Sequence, residues 1–218
     1  MTELMSDCQN DQVDLLLETN GGITDATEGV LSAVRNTVPN FRVIVARAAK
    51  SGGTIIALAS SEIVMGPSSE LGPIDPQFQN IPVSIIIANQ QADFNLRKMC
   101  ENWVLQTQAL AKKCLKQGMF GTPDKAKNDD QIDQVVESLS SGKFYFSHGS
   151  AIDHSEATQI GLTVKFLPPN DEVWKRIWLL YSMYEYDCRQ KNLLKIFESD
   201  RLSNSIAAPI QAAVPVTP

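Results

Sequence analysis

Short apolar runs alternate with stretches in which apolar residues recur every three or four positions, and this alternation organises the first third of the chain. Val13 to Glu18 (VDLLLE) has the length of a buried strand and runs into Thr19-Asn20-Gly21-Gly22, a turn signal. Thr24 to Asn36 carries Ala26, Val30, Leu31 and Val34 at helical spacing, with Thr24 or Asp25 as the expected cap and Pro39-Asn40 as the break. Phe41 to Ala46 (FRVIVA) is β-branched and predicts a second buried strand. Thr54 to Ser60, small and apolar, predicts a buried helix, and Glu62 to Gly66 (EIVMG) a third strand. Strands alternating with helices imply an α/β fold with a mainly parallel sheet and right-handed crossovers.

Further along, Gly72-Pro73-Ile74-Asp75-Pro76-Gln77 reads as a rigid loop, and Ile81 to Ile87 as another strand. Ala92 to Gly118 is a long amphipathic helix with Phe94, Met99, Trp103, Leu105 and Leu110 on its apolar side. After a polar loop, Ile132 to Leu139 predicts a helix, and His154 to Ile160 a short one closed by Gly161 as its C-terminal cap, ahead of a strand over Leu162 to Phe166. Asp171 to Phe197 reads as one helix with an aromatic stripe of Trp174, Trp178 and Tyr181, expected to be core or subunit interface. The proline-bearing end (AAPIQAAVPVTP) predicts disorder, and no internal repeat is found.

Composition narrows the function classes. At 218 residues, 43% hydrophobic and 20% charged, the chain can bury a substantial core. A formal net charge of -6 and a pI near 5.0 speak against nucleic-acid binding, which needs clustered Lys and Arg. The nearest basic cluster, Arg97, Lys98, Lys112, Lys113 and Lys116, reads as a solvated helix face. Cys8, Cys100, Cys114 and Cys188 stand far apart, without the C-x-x-C spacing of zinc or redox sites, and Cys100 and Cys114 read as small buried hydrophobes. No metal and no cofactor is expected. Met1 to Asn10 is polar rather than a signal peptide, and no apolar run reaches membrane-spanning length, so a cytoplasmic protein is expected.

Three features suggest chemistry. Gly21-Gly22, between a strand and a helix, can turn backbone N–H groups toward a ligand, although taken alone the pair is better explained as a purely structural turn. Lys50-Ser51-Gly52-Gly53-Thr54, again between strand and helix, puts a hydroxyl at the positive end of a helix dipole, with the Gly52 amide aimed at any oxyanion formed there. The competing role for Ser51 is that of a helix cap. The order of a phosphate-binding loop is absent. Asp75, held between prolines, could orient a base or cap a helix.

Taken in order, Thr19-Asn20-Gly21-Gly22, Ala49 to Ala59 (AKSGGTIIALA), Glu62 to Pro67 (EIVMGP) and Leu71 to Gln77 (LGPIDPQ) resemble the serine dehydrogenase proteinase family. That family is related to Clp-type proteases and signal peptide peptidases within the Clp/crotonase fold. A second stretch, Phe146-Ser147-His148-Gly149 through Ser155-Glu156-Ala157 to Ile160-Gly161-Leu162, resembles the segment after the family's long helix. The resemblance implies a serine peptidase with Ser51 as nucleophile, Asp75 and His148 as the other triad members, an acyl-enzyme intermediate, a peptide or protein substrate and a homo-oligomer. Gly52 and Gly21 or Gly22 would supply the oxyanion hole. It also implies one Clp/crotonase-like domain, expected over residues 1–200. The N-terminal unit is expected to be shortened relative to the family pattern, and the proline-bearing composition predicts a disordered tail over 201–218.

Elementary chemistry supports a histidine base, since neutral imidazole takes a hydroxyl proton near pH 7, and His148 and His154 are the two histidines. His154, opening a helix, fits capping or solvent exposure. A Ser-Lys dyad of the signal-peptide-peptidase kind would instead use a lysine of the long helix, Lys98, Lys112 or Lys113, while Lys50 should point away from its neighbour Ser51. Two other functions compete: crotonase-like acyl-CoA chemistry, which uses the oxyanion hole without a serine nucleophile, and a non-catalytic scaffold of the same fold.

Overall fold

The computed structural model describes residues 13–38 and 40–209; Cys8, the Pro39 break, the polar N-terminus and the last residues of the expected tail lie outside that range. Four parallel strands, β1 (Val13–Thr19), β2 (Phe41–Ala49), β3 (Ile63–Met65) and β7 (Val164–Phe166), lie side by side in the order β1-β2-β3-β7, and β4 (Glu70–Leu71) pairs with the far end of β2. The mainly parallel α/β fold expected from the alternation of strand and helix patterns is what the chain forms.

Helices α1 (Thr24–Thr37) and α2 (Gly52–Leu58) join the first three strands. Alternation along the strands sorts side chains into two layers. Phe41, Val43 and Val45 of β2, with Ile63 and Met65 of β3, enter the main core beneath α1, α2, α4 (Phe94–Gln117) and α5 (Asp129–Ser140). Ile44 and Val64 face the other side, where α7 (Glu172–Gln190) packs Trp174 against them. Burying a side chain such as Leu58 or Met65, both fully enclosed, is worth about 1.5–3 kcal/mol relative to leaving it in water. β1 is the outermost strand of the described sheet and only half-buried, so the fully buried strand expected there is an edge strand instead.

Local chemistry sets several element ends as the sequence implies. Asn128 and Gln131 form a capping box on α5, Asp153 caps α6 (His154–Ile160), and Gly161 closes α6 in the left-handed conformation at φ 102°. α1 departs from expectation. Ile23, not Thr24 or Asp25, precedes the helix without a side-chain cap, and Asp25 accepts a hydrogen bond from Gln106 of α4 (2.7 Å).

Three longer-range expectations fail, each for a physical reason. The strand foreseen over Ile81 to Ile87 is a two-residue strand, β6 (Ile81–Pro82), paired with β5 (Gln77–Phe78), followed by helix α3 (Val83–Ala88). Val83 and Ile86, one turn apart, pack on Cys100 of α4 while Ile85 is exposed, a burial period that suits a helix and not a strand. On α4 the buried stripe is Cys100, Thr107, Leu110, Ala111, Cys114 and Leu115. Of the expected apolar side Leu110 is buried and Trp103 packs beside Cys100, whereas Phe94, Met99 and Leu105 face solvent because they lie off the face that meets the core. The helix foreseen from Asp171 to Phe197 stops at Gln190. Asn192 turns the chain at φ 48°, and β8 (Leu193–Glu198) pairs antiparallel with β9 (Ser203–Ala207), so the start of the expected disordered tail is an ordered hairpin strand. The aromatic stripe is split: Trp174 and Tyr181 are buried and Trp178 is partly exposed.

Candidate active site

The carboxyl ends of the adjacent strands β1 and β2 carry the two glycine-bearing turns, the place where parallel α/β sheets bind ligands. A register shift between Leu17 and Thr19 re-aims the end of β1, so that Thr19 pairs with Ala49 and its carbonyl accepts from the Lys50 amide at 2.9 Å. One residue on, Ser51 adopts φ 51°, ψ -114°, a sparsely populated conformation for a residue with a Cβ. Strain of this kind costs of order 1–3 kcal/mol and persists where the surroundings enforce it. The surroundings here are explicit: the Gly53 amide donates to the Lys50 carbonyl at 2.7 Å, and Gly21, at φ 100°, leaves no room for a side chain beside Ser51. A sharp strand-to-helix turn of this type lifts a nucleophile clear of the sheet.

Ser51 is partly exposed and its side chain makes no capping hydrogen bond, so the helix-cap role is not the one it plays here. Two amides near it are free of hydrogen-bond partners among the described residues, those of Gly22 and Gly52. The Gly21 amide is committed, donating to the Thr19 hydroxyl at 3.1 Å. Gly22 N lies 3.4 Å from the point where a Cβ on Gly52 would stand, so the two free amides are neighbours in space.

The other expected triad members meet each other. His148 Nδ1 lies 2.8 Å from Asp75 Oδ1, and Gln77 Nε2 donates to Asp75 Oδ2 at 2.6 Å. With its proton on Nδ1 the imidazole donates to Asp75 and leaves Nε2 as an acceptor. His148 sits in a tight turn in which the Ser150 amide donates back to the Ser147 carbonyl at 3.0 Å. The loop bearing Asp75 is tied down by the Ile74 amide, donating to Leu139 of α5 at 2.9 Å, and by paired amide bonds between Leu71 and Ile152. No hydrogen bond joins the Ser51 hydroxyl to His148 among the described residues. Catalytic hydrogen bonds often tighten only when substrate binds.

The alternative bases are engaged elsewhere. Lys98 pairs with Glu101 at 2.7 Å, Lys112 with Asp133 at 2.8 Å and Lys113 with Glu28 at 3.7 Å, all on the solvent side of α4. His154 stacks on Phe166 at 3.8 Å, with Asp153 doing the capping. Lys50 does point away from Ser51, as adjacent side chains do.

A family profile described as ClpP-like SDH-type serine proteinase matches residues 4–203. The chain belongs to this family. Among the relatives of this chain are two uncharacterised proteins of Methanocaldococcus jannaschii. One is 28% identical over 187 residues, 84% of this chain and 62% of the relative; the other is 27% identical over 175 residues, 79% and 56% respectively. The chain thus spans less than two thirds of the length of either. Among solved structures, a mutant of the membrane-bound stomatin-specific protease 1510-N in complex with a substrate peptide matches loosely, at TM-score 0.36 and 17% identity, over 83% of this chain and 88% of that one. In this ClpP-like chain no described helix is long and apolar enough to cross a membrane.

Residue-type reasoning passed over Thr54 and gave Gln77 no role. Thr54 is fully buried; its hydroxyl accepts from the Gly72 amide at 3.1 Å and lies 2.8 Å from the carbonyls of Ala49 and Gly72. A threonine in an otherwise apolar helix is the signal, because a buried hydroxyl must find a partner.

Proposed function

We propose that the chain is a serine peptidase that cleaves peptide bonds through an acyl-enzyme on Ser51. The observation that carries this reading is the 2.8 Å bond between His148 Nδ1 and Asp75 Oδ1, on loops held against the turn that bears Ser51. His148 Nε2 takes the hydroxyl proton as Ser51 Oγ attacks the carbonyl carbon, and returns it to the leaving amine when the peptide C–N bond breaks. Water then attacks the acyl-enzyme with the same imidazole as base, releasing the acid and restoring Ser51. Asp75 holds the imidazole tautomer and the charge that develops on it, and Gln77 fixes the second carboxylate oxygen. The amides of Gly22 and Gly52 stabilise the oxyanion; one such donor is worth about 3 kcal/mol in the transition state. The Gly21 amide, already spent on Thr19, shapes the turn instead.

A fluorophosphonate probe tests the assignment. Wild type is expected to label covalently and Ser51→Ala not at all. Absence of labelling of the wild-type chain between mild acid and pH 9 would sink the reading and favour a non-catalytic scaffold. Saturable calorimetric binding of a CoA thioester would favour acyl-CoA chemistry.

A further inference from the structure

The side chain next to the nucleophile is an ammonium largely withdrawn from solvent. Lys50 is 13% exposed, and its Nζ meets three acceptors: the carbonyl of Leu71 at 3.2 Å, the carbonyl of Ser150 at 3.0 Å and Glu70 Oε1 at 3.2 Å. An ammonium has three donors, so the group is fully satisfied. Its acceptors are not scattered. Glu70 and Leu71 form β4, which leads into the loop carrying Asp75, and Ser150 lies two residues after His148 on another loop.

We propose that Lys50 is a positioning residue: its ammonium clamps the segments carrying Asp75 and His148 onto the turn that carries Ser51. This rests on the reading of the site given above. Two further observations support it. A Cβ on Gly72 would stand 2.6 Å from Lys50 Cδ, so the glycine of Leu71-Gly72-Pro73 opens the passage that the lysine stem occupies. Thr54, on the other side of Ser51, grips the same loop through the Gly72 amide. Stability alone is a weak reason to keep such a group, because replacing a buried ion pair with apolar side chains is often neutral. Registration explains it better. The paired bonds of Leu71 and Ile152 join the two segments to each other, β4 pairs with the end of β2, and Lys50 closes the arrangement by tying β4 and Ser150 to the residue beside Ser51. The long unbranched stem carries the charge to the Leu71 and Ser150 carbonyls and Glu70, and none of these Nζ partners is the Ser51 hydroxyl. Lys50 exchanges no proton with substrate and acts through where it holds Asp75 and His148.

The test is fluorophosphonate labelling of Lys50→Met and Lys50→Arg across pH, with the downfield proton resonance of the His148–Asp75 bond as a second readout. A catalytic group displaced by about 1 Å loses roughly 100-fold in rate. Lys50→Met is expected to label roughly 100-fold more slowly, to lose or shift the resonance, and to move the acid limb of the pH profile while still melting cooperatively. Lys50→Arg should recover part of the rate, and Trp174→Ala, a remote destabilising variant, should keep the wild-type pH profile and resonance. If Lys50→Met does not fold, Glu70→Gln carries the test, with a several-fold slower rate and a shifted resonance expected. Wild-type rate, resonance and pH midpoint in Lys50→Met, or in Glu70→Gln where that stands in, would overturn the proposal, as would the same pH displacement in Trp174→Ala. A wild-type chain that does not label at all defeats the peptidase reading; the resonance in Lys50→Met then still decides whether the clamp exists.

Discussion

Alanine substitutions at the two glycines after β1 should have opposite consequences, although the residues are neighbours. At Gly21 a Cβ would lie 2.6 Å from Ser51 Cβ and 2.8 Å from the Lys50 carbonyl oxygen, on a backbone at φ 100°. The backbone conformation alone costs an L residue of order 1–3 kcal/mol. The overlap compounds it, since carbon contacts favour about 3.5–4.0 Å and the two turns must separate by roughly 1 Å to restore that. For a domain of this size a loss of 1–3 kcal/mol corresponds to roughly 2–12 °C in Tm. The same 1 Å at the nucleophile predicts a labelling rate lower by about 100-fold. At Gly22 nothing lies within 4 Å of the added carbon and φ is not in the left-handed region. Gly22→Ala should therefore hold its Tm, or gain slightly because the unfolded chain loses freedom, and it keeps its amide for the oxyanion. Differential scanning calorimetry and fluorophosphonate kinetics on both variants check this. The reasoning is refuted if Gly21→Ala matches wild type in both measurements, or if Gly22→Ala is destabilised as much as Gly21→Ala.

Two further outcomes follow from packing and charge. A Cβ on Gly66 would stand 2.3 Å from the Trp174 ring, so Gly66→Ala should cost about 1–3 kcal/mol and red-shift tryptophan emission as α7 is pushed off the sheet; unchanged emission and Tm would contradict this. In the hairpin region, burial first and then the Glu198 carboxylate push the Tyr184 phenol up to about 12, while hydrogen bonds from Ser203 and Tyr184 hold Glu198 below its ordinary 4.5. A raised phenol contributes stability below its ordinary value near 10 that is lost as pH climbs toward 12, and a lowered carboxylate contributes stability lost as pH falls below 4.5. Ultraviolet titration of wild type against Tyr184→Phe should show the missing tyrosine as the late-ionising one, and Glu198→Gln should bring its ionisation earlier; ionisation of Tyr184 together with the other tyrosines would refute the linkage.

The α/β class was legible because the decisive signal is local. Short apolar runs rich in β-branched residues, Phe41 to Ala46 and Glu62 to Gly66, with glycines near the strand ends, need no knowledge of neighbours. Gly161 and the small buried Cys100 and Cys114 were readable for the same reason. The region from Ile81 to Ile87 was not, because a seven-residue, mostly apolar run fits a strand or a helix until a partner surface, here Cys100 of α4, chooses the burial period. Phe94 and Leu105 misled because size suggests a core, whereas the face of α4 that meets the core is the one carrying Cys100, Thr107, Leu110, Ala111, Cys114 and Leu115, and they lie off it. Asn192 hid the end of α7, being a left-handed cap that a glycine would have announced.

By itself, then, the chain's order of residues determined the mainly parallel sheet, the family, and the placing of Ser51 between a strand and a helix, because each follows from local patterns and their order along the chain. Tertiary structure alone decided the rest: that Asp75 and His148, 73 positions apart, share a proton bond, that the Gly22 amide is free while Gly21's is taken, and that Lys50 faces two loops instead of water. Those outcomes depend on which loops arrive at the ends of β1 and β2, and loop arrival is set by long-range packing that no local pattern encodes.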